Sequence, residues 1–291
     1  MEKEEPLFKN NPEGENTIGE KKKLRILIII IALLVIAIVV LIIFLVKDDD
    51  DDDDDSSPVQ DEHPFKQIDK ENREINLVPK SGKYDYILIF LHGLLGSSSD
   101  FLDKFNKKDG PIPDNFKIIL PCASEQFVTR LNFSTTSWFD LYGINNDVIV
   151  EKDIDYEGLN ESADLIKKII KDEVKNVGNN YTRIFVGGFS QGACLSYQIG
   201  LSFEHTLGGI IPFCAIPHSQ TPIVEENNKN LNIFSILGGR DIYFPLDYAL
   251  NQTFTVLSNL TNLKIEIFKD QEHAVEDIEL DYVKAFIKSL L

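Results

Sequence analysis

Arg183-Ile184-Phe185-Val186-Gly187-Gly188-Phe189-Ser190-Gln191-Gly192-Ala193 is the stretch on which the fold turns. Arg183 to Gly187 reads as a strand, and Gln191 to Leu201 as a helix. Between them, Gly188 to Gly192 has the form G-x-S-x-G, and that position is what the motif needs. A sharp strand-to-helix turn holds the serine in a strained backbone conformation. Neighbouring chain passes so close that side chains two residues either side must be absent. The turn exposes the hydroxyl and aims a helix N-terminus at charge developing on a substrate oxygen. A plain pair of turn glycines is the bland alternative; the strand on one side and the helix on the other favour a nucleophile at Ser190.

Outward from this turn, short apolar runs alternate with amphipathic stretches. Tyr86–Leu91, Phe116–Pro121, Leu207–Phe213, Leu231–Leu237 and Leu263–Phe268 are further strand candidates. Several are apolar on both faces, as central strands of a parallel sheet must be. Leu159, Ala163, Ile166, Ile170 and Val174 recur at helical spacing. So do Leu246, Leu250, Thr253, Leu257 and Leu260, and the stretch Val275–Leu291 is also amphipathic. The expectation is an α/β-hydrolase fold, with a mostly parallel central sheet and helices on both faces.

In that arrangement the nucleophile is followed by an acid and then a histidine. His63 and His92 precede Ser190, and His205 and His218 come before any later acid loop. Only His273 follows the last strand, in the loop before the final helix, so it is the expected base. The loop after Leu231–Leu237 reads Gly238-Gly239-Arg240-Asp241. Asp241 can orient the His273 ring through its Nδ1–H. Asp247 is the alternative, but it falls inside the next helix. Leu91-His92-Gly93-Leu94 closes an earlier strand, where one oxyanion amide is expected. Leu94 N–H and Gln191 N–H are the two candidate donors. His92 reads as structural, bonding loop carbonyls.

The N-terminal quarter is different. Residues 1–23 are polar and aperiodic, as in a disordered tail. Leu24–Val46 has one charge, Arg25, and its other 22 residues are all Leu, Ile, Val, Ala or Phe. A helix of that length spans about 35 Å, enough to cross the hydrocarbon core. The run is too long for the apolar part of a signal peptide, and no cleavage pattern follows it. Lys21, Lys22, Lys23 and Arg25 precede the span, and Lys47 alone closely follows it. The positive-inside bias then puts residues 1–23 in the cytoplasm, with the catalytic domain lumenal or extracellular. Asn-X-Ser/Thr sequons begin at Asn132, Asn160, Asn180, Asn251 and Asn259, and Asn160 and Asn251 fall on polar faces of predicted helices. Residues 47–75 read as an acidic linker, because adjacent like charges extend a chain. A calcium role for the Asp run competes with this reading, but nothing there turns the carboxylates toward one point. The domain itself is expected over 76–291.

The formal charge is -18; eight of those charges form the run Asp48–Asp55, leaving -10 on the rest. Outside Lys21–Arg25 there is no basic stripe, which argues against a nucleic-acid partner. Cys122, Cys194 and Cys214 are too few for a disulfide scaffold and are not spaced for a metal; three buried free thiols are expected, with one bridge plus one free thiol as the alternative in an oxidising compartment.

With these residues placed, the chain from about Tyr84 to Leu291 resembles the acyl-protein thioesterase and lysophospholipase family of carboxylesterases. Four segments carry the likeness: Gly187–Ala193 (GGFSQGA), Leu91–Leu94 (LHGL), Pro121–Thr129 followed by Ser137–Asp140 (PCASEQFVT, SWFD), and Gly238–Pro245 (GGRDIYFP). The resemblance implies a Ser190–Asp241–His273 triad, oxyanion donors at Leu94 and Gln191, and an acyl-binding groove near Trp138 and Phe139. It implies an acylated lipid, a small ester or an acylated protein as substrate, and no cofactor. The family's loop after His-Gly-Leu usually continues Gly-Asp, whereas this chain has Leu95-Gly96-Ser97. A lumenal domain would be cut off from cytosolic S-acylated proteins, which favours a lipid ester or a lumenal acyl ester. Two rival readings stay open: a non-catalytic membrane-tethered binding module on the same fold, and the same chemistry with the domain in the cytoplasm.

Overall fold

The computed structural model describes residues 63–70, 73–143, 147–224 and 228–291. The predicted span 24–46, the tail 1–23 and most of the linker lie outside them. Among the described residues, no helix is long and apolar enough to cross a membrane.

Eight strands form one sheet. In chain order they are β1 (Phe65–Asp69), β2 (Ile75–Pro79), β3 (Tyr86–Leu91), β4 (Phe116–Leu120), β7 (Ile184–Phe189), β8 (Gly209–Phe213), β9 (Ile233–Gly238) and β10 (Leu263–Phe268), with β5 (Glu125–Val128) and β6 (Phe133–Thr136) forming a separate hairpin. Their spatial order is β1-β2-β4-β3-β7-β8-β9-β10. From β4 to β10 all neighbours are parallel, while β2 is antiparallel to both β4 and β1. The helices are α1 (Leu102–Phe105), α2 (Tyr156–Glu173), α3 (Gln191–Ser202), α4 (Leu246–Leu257) and α5 (Asp277–Leu290).

The runs that read as apolar on both faces are so because each face carries its own core. Along β3, Ile87, Ile89 and Leu91 point to one side, packing with Leu159, Ile166 and Ile170 of α2 and with residues of α3 and α4. Leu88 and Phe90 point to the other, with Phe105 of α1 and Leu280, Val283 and Phe286 of α5. Phe90 is the centre of that second layer, its ring edge-on to Phe101, Phe105 and Phe213 at 4.7, 5.0 and 5.9 Å. α3 runs down the middle and is buried from Gln191 to Leu201. It shows little amphipathic periodicity because both its faces are covered.

Phe65–Asp69 falls inside the stretch read as linker. It pairs with all five residues of β2, so the boundary at 76 lies within an N-terminal hairpin. Only Phe65 of β1 is buried. An edge strand with a single buried side chain leaves no alternating pattern to read, and its charged residues discourage pairing with another chain. The β5–β6 hairpin was equally silent in the sequence: only Val128 and Thr136 of its eight residues are buried.

Three free cysteines agree with the expectation, although Cys122 is half-buried rather than buried. Burial pushes the Cys194 thiol up to about 12. Of the sequon asparagines, Asn132, Asn180, Asn251 and Asn259 are exposed. Asn160 is half-buried; its amide donates to Tyr156 O and its side-chain oxygen accepts from Gln198 Nε2 at 2.6 Å.

Glu279 lies in the first turn of α5 and is fully buried. Its Oε2 accepts from Glu276 N–H at 2.8 Å, while Oε1 has no partner among the described residues. Burial pushes its carboxyl up from 4.5 to about 7. Between those values the folded chain holds a proton that the unfolded chain has lost, so stability falls as pH rises through that window. The loss should be about 3 kcal/mol in the limit. Urea unfolding at about pH 5 and about pH 8 should show this decline in the wild type. Glu279→Gln, which cannot ionise, should flatten it.

Candidate active site

The G-x-S-x-G segment folds as its sterics require. β7 runs through Phe189, and α3 starts at Gln191, leaving Ser190 alone at the turn with φ 54° and ψ -117°. A non-glycine residue there is strained. It is held by Ser190 N–H donating to Phe213 O at 2.9 Å, and by Ala193 and Cys194 N–H donating to Ser190 O. A Cβ on Gly188 would sit 2.4 Å from Gly192 O, and one on Gly192 would sit 2.3 Å from Leu91 O and 2.6 Å from His92 O. Both glycines are therefore demanded by close backbone approach.

Three loops at the C-terminal edge of the sheet meet over this turn. His273, after β10, has Nε2 2.7 Å from Ser190 Oγ. Its Nδ1 lies 2.7 Å from Asp241 Oδ2. Asp241, after β9, is buried, and its Oδ1 accepts from the N–H groups of Tyr243 and Phe244 at 2.8 and 2.9 Å. The carboxylate is thus fixed by backbone on one side and fixes the imidazole on the other. Phe189 and Tyr243 pack on the ring at 4.8 and 4.9 Å. Asp247, the alternative acid, lies in the first turn of α4. Of the other histidines, His205 stacks on Tyr181 and His218 on Tyr156.

His92 is buried behind the loop after β3. Its Nε2 accepts from Ala123 N–H at 3.0 Å, which leaves Nδ1–H to donate to Gly93 O at 2.6 Å. Burial holds its pKa below the ordinary imidazole value, so it stays neutral. In a planar trans peptide the carbonyl and the following N–H point opposite ways. By holding Gly93 O, His92 therefore fixes the direction of Leu94 N–H.

The Gln191 side chain ties the second loop in. Its Oε1 accepts from Trp138 N–H at 2.9 Å, and its Nε2 donates to Ser137 Oγ at 2.8 Å and Phe139 O at 2.6 Å. Trp138 Nε1–H donates to His92 O at 2.9 Å. Asp140 braces the same segment, accepting from the Thr129 amide and hydroxyl.

A cavity of about 200 Å³ opens beside Ser190 and His273. Leu94, Gln191 and Phe139 line it, as expected of a groove there. Trp138 is not among its lining residues; it is buried with its indole bonded to the His92 carbonyl and supports the loop instead. Leu131, Leu141, Ile149, Ile154 and Phe244 complete an apolar wall. These came from irregular segments with no period, so the sequence carried no signal for them. Cys194 could have been found: it sits one helical turn past Ser190 and also faces the cavity.

The sequence model of the phospholipase/carboxylesterase family matches residues 72–291. Acyl-protein thioesterase 1 of Eremothecium gossypii is 31% identical over 224 residues, covering 75% of this chain and 93% of that relative. Acyl-protein thioesterase 1 of Saccharomyces cerevisiae is 29% identical over 217 residues, covering 70% and 92%. Among solved structures, Arabidopsis thaliana SOBER1 superposes with a TM-score of 0.62 at 24% identity, covering 70% of this chain and 98% of that one. Zea mays acyl-protein thioesterase 2 gives 0.62 at 20% identity, covering 75% and 99%.

Gly192→Ala should push the helix start away from the Leu91 and His92 carbonyls. We expect a lower melting temperature by thermal denaturation and loss of labelling by a fluorophosphonate probe. A folded, fully labelled variant would mean that the backbone contact is not needed.

Proposed function

This chain belongs to the phospholipase/carboxylesterase family, and we propose that its hydrolysis of acyl esters or thioesters runs through Ser190, Asp241 and His273. The chain is a serine ester or thioester hydrolase; the assignment of the three residues, the substrate and the topology are our reading. The observation that carries it is the unbroken hydrogen-bond chain from Asp241 Oδ2 through the His273 ring to Ser190 Oγ, both links 2.7 Å.

His273 Nε2 takes the Ser190 hydroxyl proton as Oγ attacks the acyl carbonyl carbon. Asp241 holds the ring in the tautomer with Nδ1–H and stabilises the imidazolium that forms. The carbonyl oxygen becomes an oxyanion facing Leu94 N–H and Gln191 N–H, donors typically worth about 10²–10³ each in rate. The tetrahedral intermediate collapses, Nε2 hands its proton to the departing oxygen or sulfur, and the acyl group stays on Oγ. Water, losing a proton to Nε2, then attacks the acyl-enzyme; as the second intermediate collapses, Nε2 returns that proton to Oγ, freeing the acid and the serine hydroxyl. The apolar cavity suits an acyl chain, so acylated lipids, small esters and acylated proteins are the candidate substrates. Esters and thioesters need less protonation of the leaving group than amides do, which argues against peptide hydrolysis.

From the flanking charges we infer a signal anchor over residues 24–46 with the domain on the lumenal or external side. That placement favours a lipid ester or a lumenal acyl ester. Glycosidase-sensitive mobility in the full chain, lost when Asn132, Asn180, Asn251 and Asn259 are replaced by Gln, is the expected result. An unglycosylated chain whose domain is open to protease from the cytoplasmic side would place the enzyme among cytosolic acylated proteins instead.

Ser190→Ala should abolish both fluorophosphonate labelling and ester hydrolysis, and Asp241→Asn should lower kcat by about 10⁴-fold with the fold intact. A folded wild type that neither labels nor hydrolyses would favour a membrane-tethered binding module. Esters, thioesters and lysophospholipids graded in chain length, assayed on the full chain, should give kcat/KM that rises with acyl length until the cavity is full.

A further inference from the structure

Cys214 follows β8, between the turn of Ser190 and the loop of Asp241, and no step of the reaction uses it. Its backbone is left-handed, with φ 52°, and its side chain is fully covered. The Cys214 thiol, an Asp241 carboxylate oxygen and a His273 ring nitrogen all lie within 4.8 Å of one another. The thiol also faces Ala274 O at 3.7 Å. Sulfur, imidazole nitrogen and carboxylate oxygen together are a donor set suited to Zn²⁺ and its thiophilic relatives rather than to Mg²⁺ or Ca²⁺.

We propose that Cys214 Sγ, Asp241 Oδ2 and His273 Nδ1 form an inhibitory site for a thiophilic divalent cation of the Zn²⁺ type. A tetrahedral ion with bonds of about 2.0–2.3 Å holds its donors roughly 3.3–3.6 Å apart. The Nδ1–Oδ2 pair, now 2.7 Å apart, must open by somewhat under about 1 Å, and the thiol, within 4.8 Å of both, must close by no more than about 1.5 Å. Ala274 O stands beside the thiol as an oxygen for the fourth position. The ion enters past the His273 ring, which is the least covered of the three donors at 13% side-chain exposure.

Cys214 releases one proton to solvent on becoming a thiolate. The His273 proton leaves Nδ1, where the metal–nitrogen bond forms, and appears on Nε2. An Nε2–H can donate to Ser190 Oγ but cannot accept its proton. The Nδ1–H···Oδ2 bond is broken as well. Occupancy therefore stops hydrolysis without blocking the acyl cavity.

The inhibition arm of the test rests on the triad proposed above; the spectroscopic arm does not. Full chain in detergent would be assayed for ester hydrolysis against ZnCl₂, with MgCl₂ as control. We expect inhibition by Zn²⁺ alone, reversed by a chelator, and a shift of at least about tenfold in the half-inhibiting concentration for Cys214→Ser. CdCl₂ titrated into the unmodified chain should raise a thiolate-to-cadmium charge-transfer band. The band should persist in Cys122→Ser/Cys194→Ser, which keeps only Cys214, so the result does not depend on Cys214→Ser folding. Equal Zn²⁺ sensitivity in a folded Cys214→Ser, or no band from the Cys214-only chain, would overturn the site. An enzyme inactive without metal that still gives the band would instead overturn the triad.

Discussion

The contact between two backbones governs this site. Gly192 lies so near the carbonyls of Leu91 and His92 that even a methyl group would collide with them. That approach draws the Ser190 turn at the end of β7 against the loop leaving β3, its neighbour in the sheet. Ser190 and Leu94 thus line one cavity because of main-chain packing, before any other side chain is considered. The left-handed, strained conformation of Ser190 persists because β8 holds its amide and α3 holds its carbonyl.

Side chains then stiffen what the backbone arranges. His92, neutral in its buried position, holds the Gly93 carbonyl and so sets the following N–H. The carbonyl of His92 accepts the Trp138 indole, the Trp138 amide reaches the Gln191 side chain, and the Gln191 amide is the first of α3. This closed circuit runs from one oxyanion candidate to the other through buried groups that are all hydrogen-bonded. Such networks specify one geometry because an unpaired member would be costly.

Parallel topology does the rest. The parallel strands β4, β3, β7, β8, β9 and β10 all end on the same side, so the loops after β3, β7, β8, β9 and β10 crowd one edge. Ser190, Asp241 and His273 meet there from positions far apart in the chain. The same crowding brings Cys214 to Asp241 and His273, although nothing in the proposed acyl transfer calls for a thiol.

Much of this was legible from the sequence because it is local or periodic. The pentapeptide around Ser190 marks a strand-to-helix turn by itself. The central strands show as apolar runs because both their faces are buried, and chain order alone singles out His273 among five histidines. The turn after β9 carries Asp241 at a fixed short distance. What the sequence could not decide depends on contacts between distant segments. β1 was hidden because an edge strand buries one residue, and Trp138 read as a groove residue until its indole was seen bonded to His92. The cavity wall drawn from Leu131, Ile149 and Ile154 has no period, since irregular loops are shaped by what they pack against. The position of Cys214 beside Asp241 and His273 is likewise a matter of strand order in space, which no spacing along the chain encodes.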